Sequence, residues 1–207
     1  MLNIFITLAN RGFDVTYIPG GVRQDIFNCL NKNGYKHAIV QALNGQSYNL
    51  NAVPEYWKAK QAGIQQVDFY FSCLYFKDPR SYTREILNKL KNEGVLNNNM
   101  VWLDVETSNK SFDEEQDNQQ YIAVVLDEMT NILGTNHVGV YSSSNRWISI
   151  VGQDWTGASQ YKLMYPHYDN WQSFDDFQSF GGWTSPSIKK YQSNQTECEY
   201  DINRNYF

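Results

Sequence analysis

Two carboxylates stand two residues apart at the end of an apolar segment. The segment Val101-Trp-Leu-Asp104-Val-Glu106 is predicted to form a buried strand that ends on the two acids. Residues two apart in a strand share a face and lie about 6.6 Å apart, so Asp104 and Glu106 point to the same side of the sheet. They are either solvated groups at a strand end or a functional pair.

A functional pair of this kind suits the cleavage of a glycosidic bond. Burial and a neighbouring negative charge raise the pKa of one carboxyl, which then stays protonated and can act as an acid. Glycoside hydrolysis needs one carboxylic acid to protonate the leaving oxygen and one carboxylate to support the positive charge that develops on the sugar. The carboxyl ends of strands are where barrel enzymes place such groups.

Two further acids interrupt apolar strand patterns, one near each end of the chain. Asp14 lies in Gly12-Phe-Asp-Val-Thr16, and Asp201 lies in Tyr200-Asp-Ile-Asn203. In a closed barrel the first and last strands are neighbours. We therefore expect Asp14 and Asp201 to lie side by side at the mouth, around one cavity with the other two acids if all four share a face.

The elements that would position these acids alternate between strand and helix patterns, which is typical of an α/β fold. The predicted strands are Gly12–Ile18, His37–Leu43, Gln66–Leu74, Met100–Glu106, His137–Ser143, Tyr161–Tyr168, Ser187–Gln192 and Glu199–Asn203. The predicted helices are Val22–Asn33, Val53–Ala62, Ser81–Glu93, Glu114–Leu133 and a short Asn145–Val151. Eight strands predict a TIM-like β/α barrel with a parallel sheet and reduced helices in the last third.

Length and charge limit the possible functions. The 207 residues suit one domain, residues 11–207, while residues 1–10 are either a signal-peptide remnant or the start of the first strand. The net charge of −5 disfavours nucleic acid as a partner, because phosphate binding needs a basic surface. No apolar stretch is long enough for a membrane span. The spacing of His37, His137 and His167 predicts no metal site, and no cofactor motif is present.

The order of the motifs resembles glycoside hydrolase family 25, the Chalaropsis-type lysozymes, and within it the branch found in invertebrates and protists. The similarity runs from about residue 10 to the carboxyl terminus. The segments that carry it are Gly12–Thr16, Val101–Glu106, Gly139-Val-Tyr-Ser-Ser143 with Trp147, Tyr165-Pro-His-Tyr168, Lys190-Tyr-Gln192, Asp201-Ile-Asn203 and the loop Phe174–Trp183. Pro166 departs from the family pattern, which has a small residue there.

The resemblance implies a lysozyme, an N-acetylmuramidase that hydrolyses bacterial peptidoglycan with retention at the anomeric carbon. Glu106 would be the general acid and base, and Asp104 would attack directly or orient the acetamido group of the substrate. Asp14 and Asp201 would hold the sugar. The aromatic residues expected to line the groove are Tyr70, Trp102, Tyr141, Tyr165 and Tyr168. We expect a monomer that is secreted or located in a phagosome or lysosome.

The three cysteines permit one disulfide. Cys29 falls late in the first predicted helix and Cys198 just before the last strand, and these positions are adjacent around a barrel. If a disulfide forms, we expect this pair, with Cys73 buried and free.

Two other functions remain open on the sequence. A carbohydrate-binding barrel would keep the groove without catalysis, although a binder has no use for a buried carboxylate that changes its protonation state. A hydrolase of another N-acetylglucosamine polymer, such as chitin, is the second alternative. The three spaced acids of the chitinase-like strand are absent, because Trp102 stands two residues before Asp104.

Overall fold

A computed structural model describes residues 11–44, 46–73, 75, 77–105 and 112–207. Within these ranges the chain forms ten strands and five helices. Glu106 and residues 1–10, on which two of the expectations rest, lie outside these ranges. The strands are β1 (Arg11–Val15), β2 (His37–Gln41), β3 (Leu43–Asn44), β4 (Ser47–Tyr48), β5 (Gln66–Ser72), β6 (Val101–Asp104), β7 (Val138–Tyr141), β8 (Lys162–Pro166), β9 (Ile188–Glu197) and β10 (Tyr200–Tyr206).

The helices cover the outside of the sheet and thin out late in the chain, as predicted. They are α1 (Gln24–Lys32), α2 (Ala52–Gln61), α3 (Pro79–Asn92), α4 (Glu115–Leu133) and α5 (Ser144–Val151), with a 3₁₀ turn at Thr135–His137. The start of α3 follows from its sequence, since the Asp78 carboxylate accepts a hydrogen bond from Ser81 N at 2.8 Å and Pro79 takes the first turn. Residues 167–187 contain no helix.

Eight of the strands close into a barrel in the order β1-β10-β9-β8-β7-β6-β5-β2, which confirms the predicted α/β barrel. The expectation of a fully parallel sheet is wrong at one place. β10 runs antiparallel to both β9 and β1, because β9 turns directly into β10 through a hairpin with no crossover helix between them. The small β3–β4 hairpin was not predicted and lies outside the barrel.

The barrel interior is filled by side chains rather than left as a pore. A buried cluster of Ile39, Met100, Trp102, Met164 and Ile188 occupies the lumen, and a larger apolar layer lies between the strands and the helices. Trp102 is 1% exposed and rests against Gly139 on the neighbouring strand. A Cβ atom at position 139 would collide with the indole ring, so glycine is required by this contact.

The predicted disulfide is present. Cys29 on α1 bonds to Cys198 at the turn between β9 and β10, across 169 residues of chain, and Cys73 is buried and free. The bond fixes the β9–β10 hairpin to the outer helical layer. Since β10 closes the barrel, the disulfide also secures the seam of the sheet.

Candidate active site

Asp14 is held by three side chains at the mouth of the barrel. It is 2% exposed and lies on β1 next to β10. Its Oδ1 accepts hydrogen bonds from Asn203 Nδ2 at 2.7 Å and from Lys190 Nζ at 3.2 Å, and its Oδ2 accepts from Asn205 Nδ2 at 3.1 Å. Both carboxylate oxygens are therefore occupied by donors, which fix the orientation of the group.

Lys190 is the positive partner of this acid. Its ammonium also lies over the ring of Tyr141, 4.6 Å from the centroid, in a cation–π contact. Burial alone would lower the pKa of Lys190, but the charge and hydrogen bond of Asp14 together with the charges of Tyr168 and Asp104 outweigh it, and the pKa is raised. The side chain thus stays positively charged inside the cleft.

Asp104 ends β6, and its carboxylate is partly buried. Its Oδ2 accepts a hydrogen bond from Ser72 Oγ at 3.0 Å, and Ser72 is its registered neighbour on β5. Glu106 follows two residues later and lies outside the described residues.

Asp14 and Asp104 face one cleft, as expected from their strand positions. It encloses about 250 Å³ and is lined by Asp14, Thr16, Ile39, Tyr70, Trp102, Asp104, Tyr141, Met164 and Lys190. Trp102 supplies apolar surface to this cleft, and its Nε1 donates to the buried Asp68 at 3.3 Å. Burial and the charges of Asp14 and Asp104 raise the pKa of Tyr70, so its hydroxyl remains protonated beside the two acids.

Asp201 does not lie beside Asp14, and that expectation is wrong. In the register of β1 with β10, the residue opposite Asp14 is Asn203. Asp201 lies two residues nearer the turn between β9 and β10. Asp201 is exposed and accepts a hydrogen bond from Thr196 Oγ1 at 2.6 Å. It lines an adjoining groove of about 640 Å³ that shares Asp14 and Thr16 with the main cleft. Asp14, Asp104 and Asp201 therefore occupy two connected spaces instead of one cavity.

The chain matches the family described as Lysozyme-like protein 1 over residues 11–191. Two proteins of Dictyostelium discoideum are similar along almost the whole chain. "Probable GH family 25 lysozyme 5" is 31% identical, over 98% of this chain and 92% of its own length, and "Probable GH family 25 lysozyme 4" is 33% identical, over 98% and 96%. This chain belongs to the family 25 lysozymes.

Solved structures agree with that assignment at the level of the fold. The muramidase from Trichobolus zukalii superimposes with a TM-score of 0.75 at 18% identity, covering 96% of this chain and 93% of its own. A family GH25 lysozyme from Aspergillus fumigatus gives 0.74 at 15% identity, covering 96% and 93%. The family is one of glycoside hydrolases, so this lysozyme is an enzyme of that class.

The aromatic residues predicted to line the groove of the lysozyme divide into two groups. Tyr70, Trp102 and Tyr141 line the cleft. Tyr165 instead faces a second cleft of about 330 Å³ between the ends of β7 and β8, where its hydroxyl donates to Asp176 at 3.3 Å. Tyr168 lies 52% exposed on the loop after β8 and lines none of the clefts described above.

A buried lysine organises that same loop of the lysozyme. Lys189 Nζ lies 2.7 Å from both Asp169 Oδ2 and Asp176 Oδ1, and its side chain is fully buried. The ring of His167 is hydrogen-bonded to Asp176. His167, Asp169 and Asp176 are close enough to share a metal ion, a grouping that the sequence spacing did not predict. Because the ammonium of Lys189 already pairs with both carboxylates, we assign the cluster to ion pairing.

Sequence reasoning missed three residues that hold the acid of β1, namely Lys190, Asn203 and Asn205. Side chains alternate between the two faces of a strand, so the sequence does predict that residues 203 and 205 share one face of β10. The signal is hidden because polar and charged residues fill both faces of β9 and β10. Only the register with β1 shows which of them meet Asp14.

Proposed function

We propose that this family 25 lysozyme hydrolyses the β-1,4 bond between N-acetylmuramic acid and N-acetylglucosamine in bacterial peptidoglycan, with retention at the anomeric carbon. The observation that carries the proposal is the cleft at the carboxyl ends of the strands, where Asp14 and Asp104 face a space with aromatic walls. Aromatic faces suit sugar rings, and acids at the barrel mouth suit their cleavage.

The proposed general acid and base is Glu106. It follows Asp104 by two residues, the spacing from which the sequence predicts a functional pair of carboxylates. Asp104, oriented by Ser72, either attacks the anomeric carbon or positions the substrate's acetamido group, which attacks in its place. Both routes pass through an intermediate on one face of the sugar and give net retention.

Asp14 is proposed to hold the sugar and to keep a fixed negative charge near the reacting carbon. Its donors place it rigidly, and a preorganised charge stabilises a developing oxocarbenium ion without reorganising during the reaction. Asp201 lies in the adjoining groove and is proposed to contact the glycan further from the cleaved bond.

The protein is proposed to act as a monomer in a secreted, phagosomal or lysosomal compartment. The Cys29–Cys198 disulfide supports an oxidising location, where such bonds persist. No helix in the described part of the chain is long and apolar enough to cross a membrane. The negative net charge favours a polysaccharide partner over nucleic acid.

Clearing of purified peptidoglycan by the wild type and by Glu106→Gln, measured from about pH 4 to pH 8, tests the proposal. The wild type should release muramic acid reducing ends, and the variant should lose at least about a hundredfold in rate, the usual scale for a general acid. Glu93→Gln is a matched control, since this exposed residue follows the end of α3. Equal rates for wild type and Glu106→Gln would remove Glu106 from the mechanism.

The reducing ends that are released also test the bond specificity. Cleavage that leaves only N-acetylglucosamine at the new ends would move the enzyme to the other glycosidic bond of the same polymer. Hydrolysis of chitin in preference to peptidoglycan would support the alternative polymer substrate.

A further inference from the structure

Lys190 brings a positive charge into a cleft built around acids. Among the cleft-lining residues that the structure describes, the other charged side chains are Asp14 and Asp104. Placing an ammonium in a desolvated cleft is costly unless it is paired, and Asp14 provides that pairing at 3.2 Å. The pairing explains how the charge is tolerated but not why a lysine stands at this position.

Asp14 does not depend on Lys190 for its hydrogen bonds. Asn203 donates to one carboxylate oxygen and Asn205 to the other, at 2.7 and 3.1 Å. The shortest contact of Asp14 is therefore to a neutral amide, and the contact of 3.2 Å to the lysine is the longest of the three. A neutral residue at position 190 would leave both oxygens of Asp14 with a donor.

The ammonium of Lys190 has more donors than its contact with Asp14 uses. It has three N–H groups, and one of them donates to Asp14. The ammonium also lies over the face of the Tyr141 ring. Among the described residues, Asp14 Oδ1 is its one hydrogen-bond acceptor. A second acceptor that enters the cleft can therefore bind without displacing Asp14.

The chemistry of the proposed substrate supplies such an acceptor. Muramic acid differs from glucosamine by a lactyl ether that ends in a carboxyl group. We propose that Lys190 binds the lactyl carboxylate of the muramic acid ring and so selects glycan strands in which this carboxylate carries no peptide. In peptide-substituted wall the same carboxyl is an amide, which is neutral and accepts more weakly. The proposal rests on the muramidase function proposed above.

The competing explanation is that Lys190 only positions Asp14. The two explanations differ in what they predict for the charge of the ligand. A positioning lysine affects charged and neutral ligands equally, whereas a carboxylate-binding lysine affects only the charged one.

Calorimetric binding of two ligands separates them: the N-acetylglucosaminyl–N-acetylmuramic acid disaccharide and its lactyl methyl ester, which removes the charge and keeps the shape. We expect the wild type to bind the acid about tenfold or more tighter than the ester, the scale of one charge-assisted hydrogen bond. Lys190→Gln should abolish this ratio, and Lys190→Arg should retain much of it. Lys162→Gln, which removes the same charge from an exposed position at the start of β8, should match the wild type.

The outcomes are distinct from those that test the function. Equal binding of acid and ester by the wild type, or an unchanged ratio in Lys190→Gln, overturns the role of Lys190 even when peptidoglycan is cleared normally. A failure to clear peptidoglycan, in contrast, overturns the proposed function. Faster hydrolysis of amidase-treated, peptide-free strands than of intact strands by the wild type, with the difference lost in Lys190→Gln, supports the selection of peptide-free strands.

Discussion

The position of an individual residue at the barrel mouth depends on the size of the residues beside it as well as on its own hydrogen bonds. Trp102 forms part of the cleft surface because Gly139 on β7 leaves room for its ring, and because the buried Asp68 accepts its indole N–H at 3.3 Å. The position of this aromatic surface thus depends on a residue that lines no cleft. A substitution at Gly139 acts on the site through the indole.

Gly139→Ala should therefore weaken both stability and sugar binding. The added methyl group overlaps Trp102, and overpacking of this kind costs about 1–3 kcal/mol. Urea denaturation measures the free energy of unfolding, and binding of the disaccharide measures the displaced wall. Gly134→Ala provides a comparison for binding alone, since its positive φ strains the backbone while nothing lies within 4 Å of its added methyl, so it should lose stability and keep sugar binding. A Gly139→Ala protein as stable as the wild type would show that the lumen adjusts freely around the indole.

At the scale of elements, the β9–β10 hairpin is the part that completes the site. It supplies Lys190, Asn203 and Asn205 to Asp14, and it is tied to α1 by the Cys29–Cys198 bond. The hairpin therefore joins the barrel seam, the outer helices and the acid of β1.

Removing the disulfide in Cys29→Ser/Cys198→Ser should lower the free energy of unfolding by about 2–5 kcal/mol, since the bond closes a long loop of the unfolded chain. Urea denaturation with and without reductant measures the effect. The reduced wild type should match the double variant, and reductant should not change the variant, whose remaining cysteine is unpaired. A difference below about 0.5 kcal/mol would mean that the hairpin is held by its strand pairing alone.

The sequence predicted where the strands and helices lie, but it did not predict the direction and register with which the strands pair. Short apolar runs between helical patterns located all eight barrel strands, and their closure placed Cys29 near Cys198. Strand patterns contain no direction, so the antiparallel course of β10 was missed. The register of β10 with β1 then puts Asn203, and not Asp201, next to Asp14. The sequence likewise does not show which face of the sheet a lysine occupies. Lys189 and Lys190 are neighbours and point to opposite faces.

At the scale of the whole molecule, the ion pairs of one buried lysine contribute to the response to acid. Lys189 is enclosed and pairs with Asp169 and Asp176. Burial by itself raises the pKa values of both carboxyls. The hydrogen bonds and charge of Lys189, together with hydrogen bonds from the Trp171 backbone to Asp169 and from His167 to Asp176, outweigh it and hold the pKa values below the ordinary value of 3.8. Because the pKa values of these carboxyls are lower in the folded than in the unfolded chain, the carboxylates stabilise the fold when the pH is above the ordinary pKa. That stabilisation is lost as the pH falls through the lowered pKa.

We therefore expect stability contributed by this cluster to persist at pH 5 and to fall below about pH 4. Asp176→Asn should reduce the free energy of unfolding at pH 7 and flatten its decline between pH 5 and pH 3. Denaturation curves at several pH values measure both, with the exposed Asp154→Asn as control. An undiminished decline in Asp176→Asn would place the acid sensitivity elsewhere. Persistence at pH 5 would suit the phagosomal or lysosomal location proposed above.

The position of β10 in the barrel order has a consequence for synthesis. The strand that lies between β1 and β9 is made after all the others, and it carries two of the three donors that hold Asp14. A ribosome must release residues 188–206 before the acid of β1 acquires its partners. A nascent or truncated chain lacking them therefore has an open sheet and a carboxylate without those donors. The contacts that hold Asp14 are thus completed only when the last strand of the barrel has paired with the first.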